Sequence, residues 1–332
     1  MNQNHSIFIE KLKVPEKLKS QVHKIFSEEE IILLSYLADK EDKASNIFSK
    51  FPHLAPSLLK SLYEKGYLTR KSKKKEEYYK SSPLEQILKR FINYNPQYEE
   101  LADTDKAVFQ ECITDLSLKE MKESQEPVYR IIPIEITIQD KRQLIPYYRA
   151  KSYIQKSSHL ALVNCLCRST FRKCNKPIEV CLALNDKAEF FISQGIGERI
   201  SVQDGLEILD ISEKNGLVHS INNVENPDYL CNCCECCCVF IQALKKLGIY
   251  TSMGKSGFIA RLKTEKCNLC GLCVDKCIFG AIIHENENIM INQDECFGCG
   301  LCAYHCPQSA IQLILNKNNK QSDNDELLHE FS

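Results

Sequence analysis

CNLCGLCVDKC, Cys267 to Cys277, is followed 29 residues further on by CFGCGLCAYHCP, Cys296 to Pro307, and both carry the spacing C-x2-C-x2-C-x3-C. Such self-similarity marks an internal repeat. Each copy runs on to an Ala-Ile pair, Ala281-Ile282 and Ala310-Ile311, which predicts that each cysteine loop leads through a short helix into a strand.

The spacing has a physical reason. Three cysteines at intervals of three, on a loop containing glycine, wrap three corners of an iron–sulfur cubane, and the fourth corner needs a thiolate from elsewhere. In this arrangement the fourth cysteine of one run serves the other cluster. One [4Fe-4S] cluster is therefore expected on Cys267, Cys270, Cys273 and Cys306, and a second on Cys296, Cys299, Cys302 and Cys277. Zinc would take four-cysteine sites from pairs of C-x2-C units and would leave the extra cysteines without a use. The segment resembles the bacterial two-cluster ferredoxins over residues 258–315. It departs from them at Ile278, where proline commonly follows the fourth cysteine; Pro307 keeps it in the second copy.

Working outward, the 332 residues have room for two or three domains, and 43% hydrophobic with 26% charged residues suits an ordinary folded chain. Met1 to Lys19 has neither the basic start nor the apolar run of a secretory signal, and no segment is long and apolar enough to span a bilayer. A cytoplasmic location with no membrane contact is the expectation. There, 19 cysteines favour metal binding over disulfides, because the compartment keeps thiols reduced.

A second cysteine-rich region precedes the repeat. CLCRSTFRKCNKPIEVC supplies Cys165, Cys167, Cys174 and Cys181, and CNCCECCC supplies Cys231, Cys233, Cys234, Cys236, Cys237 and Cys238. Successive helical side chains diverge by about 100°, so six cysteines in eight residues must lie partly on a loop. Cys233 with Cys236 and Cys234 with Cys237 form two interleaved C-x2-C pairs, so that one short loop serves opposite sides. Ten thiols suffice for one or two additional iron–sulfur clusters; zinc and a thiol redox centre are the alternatives. Arg168, Arg172, Lys173 and Lys176 read as solvated charge that offsets the thiolates. Cys112, alone in a helical pattern, reads as a small buried hydrophobe, and His159, His219, His284 and His305 as structural rather than ligating. Ser201 to Asp204 reads as a capping box, with Gly195-Ile-Gly197 as the turn before it.

The first hundred residues differ in character. Helical patterns at Glu28 to Lys40, Lys43 to Phe51 and Leu54 to Tyr67 precede a hairpin with a basic tip at Lys71, Lys73, Lys74 and Lys75. This order looks like a winged helix. Its third helix suits a DNA major groove and its tip suits phosphate; a dimerisation or docking module is the other reading, and a formal net charge of −1 does not favour a general nucleic-acid binder.

In sum, the chain reads as α+β: a winged-helix-like domain at 25–95, a mixed α/β cysteine-rich middle domain at 96–257, a ferredoxin-like domain with two [4Fe-4S] clusters at 258–315, and a polar, disordered tail at 316–332. The motif order RIIPIE, LIPYYRA, CLCR, CNKPIEVCLAL, GIGERIS, NGLVHSINN, CNCCECCC and SGFIARL, ahead of the repeat, is similar to 4Fe-4S dicluster-domain proteins of anaerobes and archaea. That resemblance implies a multi-cluster electron-transfer protein with a redox partner protein, or an oxidoreductase component. The alternative is a redox-sensing transcription regulator, possible as a homodimer, whose clusters control DNA binding. No acid–base pair, nucleophile or nucleotide loop points to a particular reaction.

Overall fold

The structure is a computed structural model that describes residues 3–54, 56–73, 76–143 and 145–316. The chain divides into two compact units, residues 1–119 with 194–196, and residues 120–193 with 197–332.

In the first unit, the helix Glu28–Leu37 starts at a complete capping box in which Ser27 and Glu30 satisfy each other's backbone N–H groups. Strand β1 (Asp42–Lys43) and the helices Ala44–Lys50 and Pro56–Glu64 follow, then strands β2 (Leu68–Lys73) and β3 (Glu76–Ser81). The three strands form an antiparallel sheet in the order β1-β3-β2, with Arg70 opposite Tyr79. Lys71 and Lys73 lie on β2, whereas Lys74 and Lys75 fall outside the described residues. Lys73 is paired with Glu41 and Lys43 with Glu76, so the basic edge is partly neutralised.

The division between units falls after Lys119 rather than after residue 95. Tyr98, Phe109, Cys112 and Ile113 are the reason: they pack with Phe91 into the core of the first unit, together with Phe8, Leu18 and Val22 from the chain before residue 25. Cys112 is fully buried there.

The second unit is built on a seven-stranded sheet. Its strands are β4 (Tyr129–Ile131), β5 (Leu160–Asn164), β6 (Glu179–Leu184), β7 (Glu198–Arg199), β8 (Val218–Asn222), β9 (Tyr229–Cys233) and β10 (Met253–Gly254), in the order β10-β4-β8-β9-β6-β5-β7. All neighbours are antiparallel except β10 and β4. The helix Val202–Lys214 opens on the expected capping box at Ser201 and Asp204.

The strand expected over Val128 to Ile138 is shorter, because Pro133 lacks the N–H a ladder requires. Beyond it the Ile134 N–H donates to the Cys299 carbonyl at 3.1 Å, and the chain turns into a 3-10 segment, Glu135–Thr137. The ferredoxin-like segment follows with β11 (Phe258–Leu262), β12 (Ile282–Glu285), β13 (Asn288–Ile291) and β14 (Ile311–Leu315). β11 pairs with β14, β12 with β13, and β14 also bridges Ile138. These ties make the middle region and the repeat one unit. Of the tail expected at 316–332, residues 317–332 lie outside the described residues, and among the described residues no helix is long and apolar enough to cross a membrane.

Candidate metal centres

The two cysteine repeats fold alike. Leu269 and Gly298, Gly271 and Gly300, and Gly280 and Ser309 occupy matching places in the two loops, and all six have positive φ. At Gly298 a side chain is impossible: a Cβ would lie 2.0 Å from the Phe258 carbonyl oxygen and 2.3 Å from Ser256 Oγ. The backbone here is pressed against β11, and only glycine combines φ +66° with that approach.

These turns direct the thiols inward around two cavities. One is lined by Cys277, Cys296, Cys299 and Cys302, the other by Cys267, Cys270, Cys273 and Cys306. The four thiols of each expected set thus share a cavity, with the crossed fourth cysteine in place. Matching N–H groups point at matching sulfurs: Ala281 N–H donates to Cys277 Sγ at 3.2 Å and Ala310 N–H to Cys306 Sγ at 3.3 Å. Ala260 N–H adds a bond to Cys296 Sγ at 3.4 Å. Such donors stabilise negative charge on cluster sulfur. Sulfur-lined, mainly apolar cavities with N–H donors fit [4Fe-4S] clusters.

The two cavities differ in burial. Cys296 and Cys302 are buried, while Cys270 is exposed. Burial pushes the Cys302 thiol well above its ordinary value and that of Cys299 up to about 12, so these groups would stay protonated without a cation to hold the thiolate. Ile278, in place of the usual proline, is buried with Phe297, Leu301 and Cys238, and its carbonyl accepts from Lys245 Nζ. The departure from the ferredoxin pattern is thus a packing contact with the middle region.

The ten middle thiols separate into two groups. In the first, Cys181 on β6 and Cys231 on β9 come together through the register that pairs Leu182 with Leu230. Alternation along β9 puts Cys233 on the same face as Cys231. Cys238, which precedes the helix Val239–Leu247, lies 3.5 Å from Cys233, sulfur to sulfur, and Ser220 Oγ lies 3.3 Å from the same Cys233 sulfur. Cys165 joins through Cys181, and Cys167 through Cys238. The result is an arc of six: Cys165, Cys181, Cys231, Cys233, Cys238 and Cys167. Thiol donors from Cys165 and Cys231 hold Cys181 well below its ordinary value, and donors from Cys231 and Cys238 do the same for Cys233. Cys165 and Cys231 are pushed up by sharing protons with those neighbours, Cys238 by sharing with Cys167 and then Cys233, and all three by burial. Sulfurs that alternate in this way, with Cys165, Cys181, Cys233 and Cys238 buried, cannot all ionise unless a cation binds them.

The second group, Cys174, Cys234, Cys236 and Cys237, converges so that all four sulfurs lie within 4.8 Å of one another. One short run does serve two sides, and of the two interleaved pairs expected only Cys234 with Cys237 stays together. Cys233 and Cys236 part company, because Cys233 still belongs to the strand face while Cys234 begins the turn.

Two residues that carry this arrangement, Arg168 and Asn232, were not legible as such. Arg168, expected as solvated charge, is 1% exposed. It donates to the Pro177 and Asn232 carbonyls at 2.8 and 3.0 Å. Burial disfavours its charge, but Cys165, Cys234 and Cys181 hold the guanidinium protonated. Asn232, between two cysteines, turns to the opposite face, donates to the Val180 carbonyl and meets His219 Nδ1. His219 in turn meets Glu213 at 3.2 Å and is structural, as expected. His305 likewise bonds the Glu213 carbonyl oxygen. The one available signal was position: Arg168 directly follows Cys167.

Residues 266–311 match the family described as 4Fe-4S dicluster domain. An uncharacterized ferredoxin of Methanocaldococcus jannaschii is 32% identical over 84 residues, 25% of this chain and 50% of that protein. A second uncharacterized ferredoxin of the same organism is 36% identical over 64 residues, 18% of this chain and 83% of that one. Pyruvate synthase subunit PorD of Thermotoga maritima is 48% identical over 53 residues, 16% of this chain and 54% of that subunit. The chain thus spans half the length of the first of these relatives, and no solved structure matches. Through residues 266–311 the chain belongs to the 4Fe-4S dicluster ferredoxins, iron–sulfur proteins of the electron-transfer type.

Proposed function

We propose that the protein is a multi-cluster electron carrier. The ferredoxin-like segment holds one [4Fe-4S] cluster on Cys267, Cys270, Cys273 and Cys306 and another on Cys277, Cys296, Cys299 and Cys302, and the six-thiol arc holds one further iron–sulfur cluster. The observation that carries this reading is the pair of cavities, each lined by one complete set of four thiols.

When bound, the clusters supply one-electron chemistry. The residues set the order of passage. Exposed Cys270 marks the side where a redox partner protein would dock. The buried set of Cys296 and Cys302 is next. Phe279 and Phe297, stacked at 4.3 Å with 17° between their planes, line that second cavity and pack in the same apolar cluster as Cys233 and Cys238. The six-thiol arc is thus the inner end of a relay, and the Asn232 N–H at Cys181 and the Ser220 hydroxyl at Cys233 tune it. The PorD relative is named as a subunit of a pyruvate synthase, which supports an oxidoreductase as partner here. Nineteen cysteines suit a reducing cytoplasm and an anaerobic host. An anaerobic potentiometric titration followed by electron paramagnetic resonance is expected to show three reducible centres; two would remove the third cluster from the proposal.

A second reading rests on the first unit. Its order of helix, β1, two helices and the β2–β3 hairpin supports a winged helix, and hence a regulator that binds DNA as a homodimer. The pairing of Lys73 with Glu41 and of Arg70 with Glu77 weighs against phosphate contact and toward protein docking. A salt-dependent shift of promoter DNA that changes on oxidation would restore the regulator reading.

A further inference from the structure

Cys174, Cys234, Cys236 and Cys237 have a geometry unlike that of the other thiol sets. Cys174 Sγ lies 3.9 Å from Cys234 Sγ and 4.0 Å from Cys237 Sγ, and Cys236 Sγ lies 3.7 Å from each of those two. Four thiolates around one ion, with bonds of about 2.3 Å, form a tetrahedron whose edges are about 3.8 Å. A [4Fe-4S] cubane instead places each thiolate on a different iron, which sets the corner sulfurs roughly 6 Å apart; it can take non-neighbouring members of an extended arc, but not four sulfurs that all lie within 4.8 Å of one another. Among the described residues these four form the one group of three or more potential ligands whose donor atoms all converge within 4.8 Å. The eight ferredoxin cysteines stand open around their cavities and do not converge in this way.

We propose that these four cysteines bind a single thiophilic divalent metal ion, zinc or one iron, in a tetrahedral site, and not an iron–sulfur cluster. The distances are those of one ion's shell. Four protein thiolates close that shell, leaving no position for water or substrate, which is the pattern of a structural site. The ion ties the loop after the helix Leu166–Phe171, through Cys174, to the turn that follows β9. Four thiolates on a divalent ion leave a net charge of about −2, and the surroundings answer it. The Arg168 guanidinium interacts with Cys234, the Lys176 backbone N–H donates to Cys174 and the Lys173 N–H to Cys237. Cys174 and Cys236 are partly exposed, so an ion has a way in, while Cys234 and Cys237 are buried. The site is separate from the six-thiol arc and holds whether or not that arc carries electrons.

The test uses the full-length protein purified anaerobically, with zinc, iron and acid-labile sulfide counted per chain in the wild type and in Cys174→Ser. The expected result is one zinc, or one iron in excess of sulfide, that disappears in Cys174→Ser while the remaining iron and sulfide are unchanged. Loss of several irons with matching sulfide, or no metal removed by the substitution, overturns the proposal. Should Cys174→Ser fail to fold, X-ray absorption on the wild type decides. If zinc is present, its edge should show four sulfurs at about 2.3 Å and no metal neighbour; if not, Mössbauer spectra should contain one isolated high-spin iron. A metal neighbour to the zinc, or iron found only in clusters, overturns it. Failure of the third-cluster reading is seen separately, as no iron lost in Cys233→Ser.

Discussion

Arg168 Nη1 donates to the backbone oxygen of Asn232 at 3.0 Å, which seats a guanidinium that is almost wholly buried beside the middle thiols. Asn232 stands between two cysteines of the six-thiol arc, and Arg168 also interacts with Cys234 of the four-thiol site. One buried cation therefore serves both groups. Arg168→Met is expected to destabilise the second unit by about 3 kcal/mol or more, since it leaves buried anionic sulfur without its counter-charge. Arg168→Lys keeps the charge but not the planar fork and should fall between the two. Anaerobic urea unfolding checks this; wild-type stability in both variants would contradict the role.

Gly298 and Gly280 both have positive φ but differ in surroundings. Gly298→Ala would drive a Cβ into the Phe258 carbonyl, whereas nothing lies within 4 Å of the position a Cβ would take at Gly280. Gly298→Ala is predicted to lose the cluster on Cys277, Cys296, Cys299 and Cys302, removing about four irons per chain. Gly280→Ala should keep full iron and cost about 1–2 kcal/mol of backbone strain. Iron analysis and thermal unfolding of the two variants distinguish them.

Ser220 Oγ sits 3.3 Å from Cys233 Sγ. A hydroxyl donor stabilises the more negative, reduced state of a cluster at that sulfur. Ser220→Ala should retain its iron and titrate at a more negative potential in one centre, with the ferredoxin centres unmoved. An unchanged set of potentials would show that this sulfur holds no redox-active group.

Cys112 tests the first unit alone. Burial pushes its thiol up to about 11, from an ordinary value of 9.0. An acid whose folded pKa is raised contributes stability that is fully present below its unfolded pKa and lost as pH rises through the folded one. The unit should therefore weaken between about pH 9 and 11, and less steeply in Cys112→Ala, with iron content unchanged. Denaturant unfolding of both proteins across that range measures the difference.

The ferredoxin segment was legible because its ligand spacing is local and repeated: each loop contains three of its own four thiols, and only Cys277 and Cys306 cross. The middle region was not, because its grouping depends on the sheet. Nothing in CNCCECCC says that Cys231 and Cys233 sit on one strand face with Cys181, or that Cys174 comes 60 residues along the chain to meet Cys234. Burial of Arg168 was hidden for the same reason, since its acceptors lie on two separate segments, Pro177 and Asn232. The boundary after Lys119 was obscured by an uninterrupted helical pattern, whose residues Phe109 and Cys112 have their partners in the first unit.

The most direct measurement is iron and acid-labile sulfide per chain in anaerobically purified full-length protein and in Cys233→Ser. The account predicts more than about eight irons with matching sulfide in the wild type, and a fall to about eight in the variant, as the six-thiol arc loses its cluster while the ferredoxin clusters remain. About eight irons in both proteins would contradict it, leaving a two-cluster ferredoxin attached to a region whose thiols carry no electrons.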